Sequence, residues 1–305
     1  MNGLTPHLVQ YQGSKRLLAP QILSFMPRRF LRLVEPFSGM AAITIAAAKE
    51  KRADQYLIND LNKPLIELLR TAIESPNELI EAYSSIWEEQ FSFELGSLEH
   101  YYKVRDEFNS GNQSAASMLY LIARCVKGAV RYGVNGNFNQ SPDKRRHGTS
   151  PKSLKANLFA ISSLLKGCSV CSSRDYREVL EDTRPGDLVY MDPPYQGVSR
   201  VRDSRYFSGI DYNEFVEAIE SLNTRGVDYL ISYDGKRGEK QYGQDLPHDL
   251  GLRKILLNAG LSTQSLLLGK KEYTYEALYI SPGFLQENAN KVPSTQLSLF
   301  NTITT

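Results

Sequence analysis

The chain has 305 residues, of which 41% are hydrophobic and 23% are charged, and its formal net charge at pH 7 is only +2. This is the composition of an ordinary globular protein with one large domain or two closely joined ones. The overall charge does not indicate a nucleic-acid binder, so any such function must be inferred from local clusters of basic residues.

The three cysteines are too few and too scattered for a disulfide framework. Cys168 and Cys171 have a C-x-x-C spacing that could indicate redox chemistry or half a zinc site. Because no second pair completes a metal site, we interpret them as small apolar residues entering a strand, and we expect no metal. No apolar run is long enough to span a membrane, and no secretory signal is present, so we expect a cytoplasmic protein.

Short apolar runs that end in polar or turn-forming residues predict the strands of a sheet. These runs are Leu31 to Val34, Tyr56 to Ile58, Leu188 to Met191 and Tyr229 to Ile231. Because helical segments separate them, they predict a doubly wound, mostly parallel α/β sheet. Near the C-terminus, Ser265 to Leu268 and Ala277 to Ile280 are too close for a crossover helix and predict an antiparallel hairpin.

Residues 63–153 lack this alternation of short apolar runs and helical segments. They predict a separate, mainly helical insertion that carries a β-hairpin. Asn135-Gly136, between Tyr132 and Phe138, is a strong hairpin-turn pattern, and a basic run from Lys144 to Arg146 follows it. We therefore expect residues 1–62 and 154–282 to form one domain and 63–153 another. Residues 283–305 are polar and predict a disordered tail.

A possible nucleoside site follows the first two predicted strands. Gly39 comes directly after a strand, where a glycine lets the backbone approach a ligand closely. Asp60, about 20 residues further on, stands where a carboxylate can hold ribose hydroxyls. Ala41 interrupts the dinucleotide fingerprint, which favours an adenosine without a pyrophosphate. An ordinary strand-to-helix turn with a helix-capping Asp would give the same pattern.

The strongest chemical motif is Asp192-Pro193-Pro194-Tyr195, directly after a buried strand. Prolines cannot continue a central strand, and they fix a rigid, extended turn. Such a turn presents a carboxylate, a backbone carbonyl and an aromatic ring in fixed positions. Asp192 and the Pro193 carbonyl can accept the two hydrogens of an exocyclic amino group, and Tyr195 can stack on the base. The motif therefore indicates chemistry at the amino group of a base.

The chain resembles the Dam-like family, the D12 class (α-group) of DNA N6-adenine methyltransferases, from about Val9 to Pro282. The segments that carry the resemblance are Tyr11 to Lys15, Glu35 to Gly39, Asp60 to Asn62, Arg131 to Pro142, Arg174 to Tyr176, Asp192 to Tyr195 and Glu276 to Leu278. The resemblance implies a Rossmann-like methyltransferase sheet, S-adenosylmethionine as cofactor and double-stranded DNA as partner. Residues 63–153 would be the target-recognition domain, and the protein would associate with the nucleoid.

The resemblance also implies which residues act in each part of the site. The implied catalytic residues are Asp192, Pro193, Pro194 and Tyr195. The implied cofactor-binding residues are Tyr11, Lys15, Glu35, Phe37, Gly39, Asp60, Asp175, Tyr176 and Asp192. The implied DNA-binding residues are Lys127, Arg131, Asn135, Asn137, Asn139, Lys144, Arg145 and Arg146. Among these, Lys15 would contact the methionine carboxylate and Asp175 the cofactor adenine.

Two departures from the family pattern matter. Ala41 replaces the second glycine of the cofactor motif, and because alanine is small we expect binding to survive. Lys127 and Gly133 stand where asparagine is common in relatives with a GATC target, so that target sequence is not transferred to this chain.

The implied reaction is methylation of an adenine that has left the duplex, without a metal or a covalent enzyme intermediate. Methylation of cytosine N4 would use the same geometry, but serine is commoner at position 192 in those enzymes. An RNA or protein-glutamine methyltransferase would leave the basic hairpin unexplained. A non-catalytic DNA-binding protein that retains the fold is a further alternative.

Gln296-Leu297-Ser298-Leu299-Phe300, in the polar tail, resembles the pentapeptide by which bacterial replication proteins dock on the sliding clamp. Leucine and phenylalanine would enter an apolar pocket of the clamp and glutamine a polar one. The same residues could instead pack back on the domain.

Overall fold

A computed structural model describes residues 5–194, 210–237, 240–241, 245–261 and 273–284. Its strands are β1 Phe30–Glu35, β2 Ala53–Asn59, β3 Ser169–Ser172, β4 Asp187–Met191, β5 Asp228–Arg237, β6 Lys240–Gln241, β7 Arg253–Leu261 and β8 Tyr273–Ile280. Its α-helices are α1 Ala19–Ser24, α2 Ala42–Lys49, α3 Lys63–Glu74, α4 Pro76–Ser92, α5 Ser97–Asn109, α6 Ala115–Arg124, α7 Pro151–Leu165, α8 Tyr176–Glu181 and α9 Tyr212–Thr224.

The strands form one sheet in the order β3-β2-β1-β4-β5-β8-β7, and the short β6 pairs with β5 alone. Strands β1 to β5 run parallel, whereas β8 runs antiparallel to both β5 and β7. The strand order reverses between β1 and β4, and ligands of open α/β sheets bind at such a switch point. The predicted doubly wound sheet, mostly parallel with antiparallel C-terminal strands, is confirmed.

The prediction for the last hairpin was wrong in its first strand. Ala277 pairs with Leu256 and Ile280 with Arg253, so the partner strand is β7. Ser265 to Leu268 lie outside the described residues. In β7 the buried Ile255 and Leu257 alternate with exposed residues. This alternation is a weaker pattern than a continuous apolar run, which is why β7 was missed.

The sheet is covered on both faces. Along β4, which is buried throughout, Leu188 and Tyr190 pack into one cluster and Val189 and Met191 into another. Successive side chains of a strand point to opposite faces, so each face has its own hydrophobic core. One core includes residues of α1 to α7, and the other includes residues of α8 and α9. This three-layer arrangement holds the carboxyl ends of the strands in fixed positions.

The predicted hairpin around Asn135-Gly136 is present. Tyr132 and Phe138 form an antiparallel bridge, and the N–H of Gly133 donates to the carbonyl of Asn137 at 2.8 Å. Gly136 has φ +77°, a conformation that favours glycine. Helices α3 to α7 share one hydrophobic cluster with the sheet residues Leu33 and Ile58.

No helix in the described part of the chain is long and apolar enough to cross a membrane. Tyr195, and the pentapeptide from Gln296 to Phe300, lie outside the described residues.

Candidate active site

A cavity of about 410 Å³ lies at the carboxyl ends of β1, β2 and β4. Among the residues that line it are Tyr11, Lys15, Glu35, Phe37, Gly39, Asp60, Asp175, Tyr176, Asp192, Pro193 and Pro194. All the residues that the resemblance implies for the cofactor therefore meet in one cavity, together with the described part of the Asp-Pro-Pro-Tyr motif.

The glycine turn after β1 and the Asp60 carboxylate after β2 are joined by a hydrogen bond. The N–H of Gly39 donates to Asp60 Oδ2 at 2.9 Å, and the N–H of Asn62 donates to Oδ1 at 2.9 Å. Burial raises the pKa of Asp60, and these two hydrogen bonds oppose the rise. A Cβ at Gly39 would lie 3.1 Å from the Tyr11 ring, so the turn has little room for a side chain.

The alanine that replaces the family's second glycine has a conformation that glycine adopts more easily. Ala41 has φ 53° and ψ 39°, in the left-handed region, and it is fully buried directly before α2. The alanine therefore retains the backbone turn of a glycine motif at some conformational cost.

Glu35 is a buried acid at the end of β1. Its Oε2 accepts hydrogen bonds from Thr44 N–H at 3.1 Å and from Thr44 Oγ1 at 2.5 Å. Burial raises the pKa of Glu35 to about 8, and the negative charges of Asp192 and Asp60 add to the rise. With this pKa, Glu35 is largely protonated at neutral pH.

The raised pKa makes folding stability depend on pH. Between the ordinary value of 4.5 and about 8, the folded chain binds a proton at Glu35 that the unfolded chain has released. This contribution to stability is fully present below about pH 4.5 and is lost as pH rises through 8. Glu35→Gln cannot ionise, so we expect it to unfold at a higher urea concentration than the original chain. Near pH 8 its free energy of unfolding should be ~1–3 kcal/mol larger.

Urea unfolding curves across this pH range would test the prediction, with the exposed Glu50→Gln as the control. The advantage of Glu35→Gln should grow from about pH 5 to pH 8 and then level off. A difference that is constant with pH would contradict the raised pKa.

Aromatic rings form one wall of the cavity. The rings of Phe37 and Tyr176 lie 5.0 Å apart, and Phe215 packs on both of them. The Tyr176 hydroxyl and the Ser38 hydroxyl are buried without a hydrogen-bond partner among the described residues. Since buried polar atoms normally have partners, both hydroxyls are suited to a ligand with polar groups.

Asp175 lies beside this wall and is engaged with its own helix. It accepts from the Arg177 N–H at 2.9 Å as the N-cap of α8, and it pairs with the Arg177 guanidinium at 2.9 Å. The hydrogen bond and the charge of Arg177 lower the pKa of Asp175 despite partial burial. Asp175 is therefore ionised and fixed in orientation.

Lys15 joins the N-terminal motif to the turn after β4. Its Nζ lies 2.8 Å from Asp192 Oδ1 and 3.0 Å from Glu276 Oε1. Burial alone would lower the pKa of Lys15, but the attraction of the two carboxylates outweighs burial and raises the pKa. In the structure, then, this ammonium is held by two acidic side chains, one of which belongs to the predicted catalytic motif.

The side chains of the predicted DNA-binding residues lie outside the cavity, on the surface segment 125–147. Lys127, Asn135, Asn137, Asn139, Lys144, Arg145 and Arg146 are exposed, and Arg131 is half-buried. Arg146 forms an ion pair with Asp143 at 2.7 Å. The buried Arg124 donates to Gln90 of α4 and to the Asp143 carbonyl. These two hydrogen bonds connect the start of the basic run to α4.

The N-terminal motif and segment 125–147 touch through their backbones. The N–H of Gln12 donates to the carbonyl of Gly128 at 3.0 Å. Gly128 has φ +61°, and a Cβ there would lie only 1.9 Å from the carbonyl oxygen of Gln10. Val130 and Tyr132 line the cavity, so this segment extends from the cavity to the exposed hairpin.

Comparison with known proteins identifies the family of this site. The model of the D12 class N6 adenine-specific DNA methyltransferases matches residues 11–261. The chain belongs to this family.

Individual relatives agree with this assignment. The type II methyltransferase M1.LlaDCHI of Lactococcus lactis subsp. cremoris is 26% identical over 260 residues, which cover 81% of this chain and 86% of that protein. The type II methyltransferase M.MjaIII of Methanocaldococcus jannaschii is 26% identical over 242 residues, which cover 73% of this chain and 82% of that protein. The retron Ec67 DNA adenine methylase of Escherichia coli is 27% identical, with coverages of 74% and 76%.

The motifs of this D12 class family did not reveal two features of the site: the contact between Lys15 and Glu276, and several further residues that line the cavity. Glu276 matched a family strand motif, but its contact with Lys15 could not be read from the sequence. Ser38, Ile210 and Glu214 also line the cavity. Ser38 lies inside the glycine motif, and its position between Phe37 and Gly39 was the available clue.

Proposed function

We propose that the protein transfers a methyl group from S-adenosylmethionine to N6 of an adenine flipped out of double-stranded DNA. The observation that carries this proposal is the position of Asp192, Pro193 and Pro194 at the end of β4, in the same cavity as Gly39 and Asp60. A clamp for the base amine and a nucleoside site would thus be adjacent, as methyl transfer between them requires.

The cavity suits S-adenosylmethionine. Asp60 would accept from ribose hydroxyls, and Phe37 and Tyr176 would contact the adenine, with Asp175 beside them. The hydroxyls of Ser38 and Tyr176, which have no hydrogen-bond partner within the described part of the chain, would gain hydrogen bonds. Tyr11, Lys15, Glu35 and Gly39 would line the remainder. When bound, the cofactor supplies an electrophilic methyl group on a positively charged sulfur.

The chain's own groups would act on the target amine. The nitrogen lone pair of adenine N6 is delocalised into the ring, which makes it a poor nucleophile. Asp192 and the Pro193 carbonyl would accept its two hydrogens, favour a more tetrahedral nitrogen and stabilise the positive charge that develops there. Tyr195 would stack on the flipped base and offset part of the cost of unstacking.

Segment 125–147 would hold the DNA. Arg131, Lys127 and the basic run from Lys144 to Arg146 would mainly contact phosphates, while Asn135, Asn137 and Asn139 of the hairpin could reach base edges. We assign residues 63–153 to target recognition and residues 1–62 with 154–282 to cofactor binding and catalysis. A DNA-modifying role places the protein in the cytoplasm with the nucleoid.

The decisive experiment incubates the protein with duplex DNA and radiolabelled S-adenosylmethionine, followed by nucleoside analysis. We expect the label in N6-methyladenine. Label in N4-methylcytosine would support the alternative that shares this geometry, and binding of DNA without any label would support a non-catalytic DNA-binding protein.

We also propose, from the sequence alone, that Gln296 to Phe300 docks on the bacterial sliding clamp. A pull-down with purified clamp should lose its signal when Leu299 and Phe300 are both replaced by alanine. Equal capture of the original and doubly substituted chains would exclude this docking.

A further inference from the structure

Arg177 joins two acidic side chains at the rim of the cavity. Its Nε donates to Asp175 Oδ1 at 2.9 Å, its Nη2 donates to Asp175 Oδ2 at 3.3 Å, and its Nη1 lies 3.0 Å from Glu214 Oε2. Asp175 is the residue before α8, and Glu214 lies in the first turn of α9. All three residues line the cavity. We call Asp175, Arg177 and Glu214 the rim bridge.

The rim bridge holds both oxygens of the Asp175 carboxylate. Oδ1 accepts from the backbone N–H of Arg177 and from its Nε, whereas Oδ2 accepts, among the described residues, from Nη2 alone. The backbone N–H by itself would hold one oxygen and leave the other free to turn. The planar guanidinium fixes both. Because a carboxylate oxygen can accept more than one hydrogen bond, Oδ2 keeps room for a donor in the cavity.

The position of this carboxylate limits what it can bind. Asp175 directly precedes Tyr176, and the centroid of the Tyr176 ring lies 5.0 Å from that of Phe37 in the aromatic wall. A planar heterocycle packed on this wall would present an edge to Asp175. An ionised carboxylate accepts hydrogen bonds and donates none, so it suits an edge with an amino group and opposes an edge with a carbonyl. Adenine has an amino group at position 6, where hypoxanthine has a carbonyl.

The rim bridge contributes little to the stability of the fold. The side chains of Arg177 and Glu214 are each 49% exposed, and that of Asp175 is 33% exposed. Ion pairs with this exposure stabilise a protein only slightly, because water screens the charges. The main consequence of the bridge is therefore the orientation of Asp175.

We propose that Arg177 is a positioning residue of the cofactor site: it fixes Asp175 so that Oδ2 accepts from the amino group of the cofactor adenine, and Glu214 holds Arg177 in place. This inference rests on the proposed function, because it takes S-adenosylmethionine as the cofactor. It assigns to Arg177 no contact with the cofactor. Arg177 should therefore determine the selectivity for adenine without acting on the methyl transfer.

The test measures by calorimetry the affinities of the full chain for S-adenosylhomocysteine and for its deaminated analogue, S-inosylhomocysteine. The two compounds differ in the base, where the second has a carbonyl in place of the amino group. The original chain should bind the adenine compound at least about 30-fold more tightly. In Arg177→Gln this ratio should fall about fivefold or more, through weaker binding of the adenine compound.

Three further variants separate positioning from other effects. Arg177→Lys keeps a positive charge but lacks the planar fork, so it should recover only part of the ratio. In the Arg177→Gln background, Glu214→Gln should change the ratio less than about twofold, because Glu214 acts through Arg177. Arg29→Gln is the matched control and should leave both affinities unchanged. It breaks the exposed ion pair of Arg29 with Asp54, directly before β1 and away from the carboxyl end that borders the cavity.

Steady-state methylation of duplex DNA gives a second readout. The rim bridge would act equally on the bound cofactor before and during methyl transfer, so its loss should weaken binding and spare the chemical step. Arg177→Gln should raise the KM for S-adenosylmethionine about 5- to 10-fold, while kcat stays within about twofold of the original value.

Equal affinity ratios in the original chain and in Arg177→Gln would overturn the inference. Parallel losses of affinity for both compounds would also overturn it, because they would show that Arg177 contacts the cofactor or shapes the cavity. An original chain that binds both compounds within about threefold of each other would contradict the role of Asp175 on which the inference depends. If the original chain binds neither S-adenosylhomocysteine nor S-adenosylmethionine, the proposed function itself fails.

Discussion

Replacing Asp192 with alanine should reduce methyl transfer by about a thousandfold or more. The substitution removes the carboxylate that would accept from the target amine, whereas Lys15 keeps Glu276 at 3.0 Å as a partner. The negative charge that would stabilise the positive charge developing on the nitrogen would be lost with that carboxylate. Loss of the acceptor and unfavourable electrostatics act in the same direction, so a large effect is expected.

The measurement is single-turnover transfer of radiolabel to DNA, with cofactor binding followed separately by calorimetry. Asp192→Asn keeps the shape of the side chain and should also be severely impaired, because its amide presents hydrogens as well as an oxygen to the amine. The exposed Asp249→Ala is the control. Retention of more than about a tenth of the rate in Asp192→Ala would contradict the role given to this carboxylate.

Replacing Gly128 with alanine should destabilise the chain by about 3 kcal/mol or more and impair methylation. The backbone there has φ +61°, and the new Cβ would lie 1.9 Å from the Gln10 carbonyl oxygen and 2.6 Å from the Gln10 carbonyl carbon. Both obstructing atoms belong to the backbone and cannot rotate away, so one segment must move. The hydrogen bond from Gln12 to Gly128 would then break, and Tyr11 and Lys15 would shift in the cavity.

Gly226→Ala is the matched control for the conformational part of this effect. Gly226 has φ +66°, and a Cβ there would meet no atom within 4 Å. It should cost only about 1 kcal/mol, the penalty of a left-handed conformation for alanine. Chemical denaturation of both variants would measure the difference, and equal losses of stability would show that the contact with Gln10 does not matter.

Local sequence patterns were enough to predict most of the sheet. The buried runs before Gly39, Asp60 and Asp192 predicted β1, β2 and β4, because a parallel strand covered on both faces is continuously apolar. The Asn135-Gly136 turn was also predictable, since few dipeptides suit its backbone conformation. Strand β7 was not, because its alternating pattern is common in segments that are not strands.

Much of the candidate site could be listed from motifs, and the fold explains why these motifs meet. Each lies just after a strand or in the turn before a helix, so a parallel sheet places them at one edge. The roles proposed for Tyr11, Lys15, Phe37 and Asp175 toward the cofactor stay predictions. So does the role of Tyr195, which lies outside the described residues.

The sequence by itself determined the family and the parallel sheet, and it predicted the chemistry of the Asp-Pro-Pro-Tyr motif, because these depend on residue types at short spacings. The tertiary structure alone decided that Lys15 lies between Asp192 and Glu276 and that Gly128 presses on Gln10. Those contacts join residues far apart in the chain, and their distances follow from how strands and loops pack. Residues close together in the sequence constrain each other's local conformation. Residues far apart in the sequence are brought to fixed distances only when the core forms.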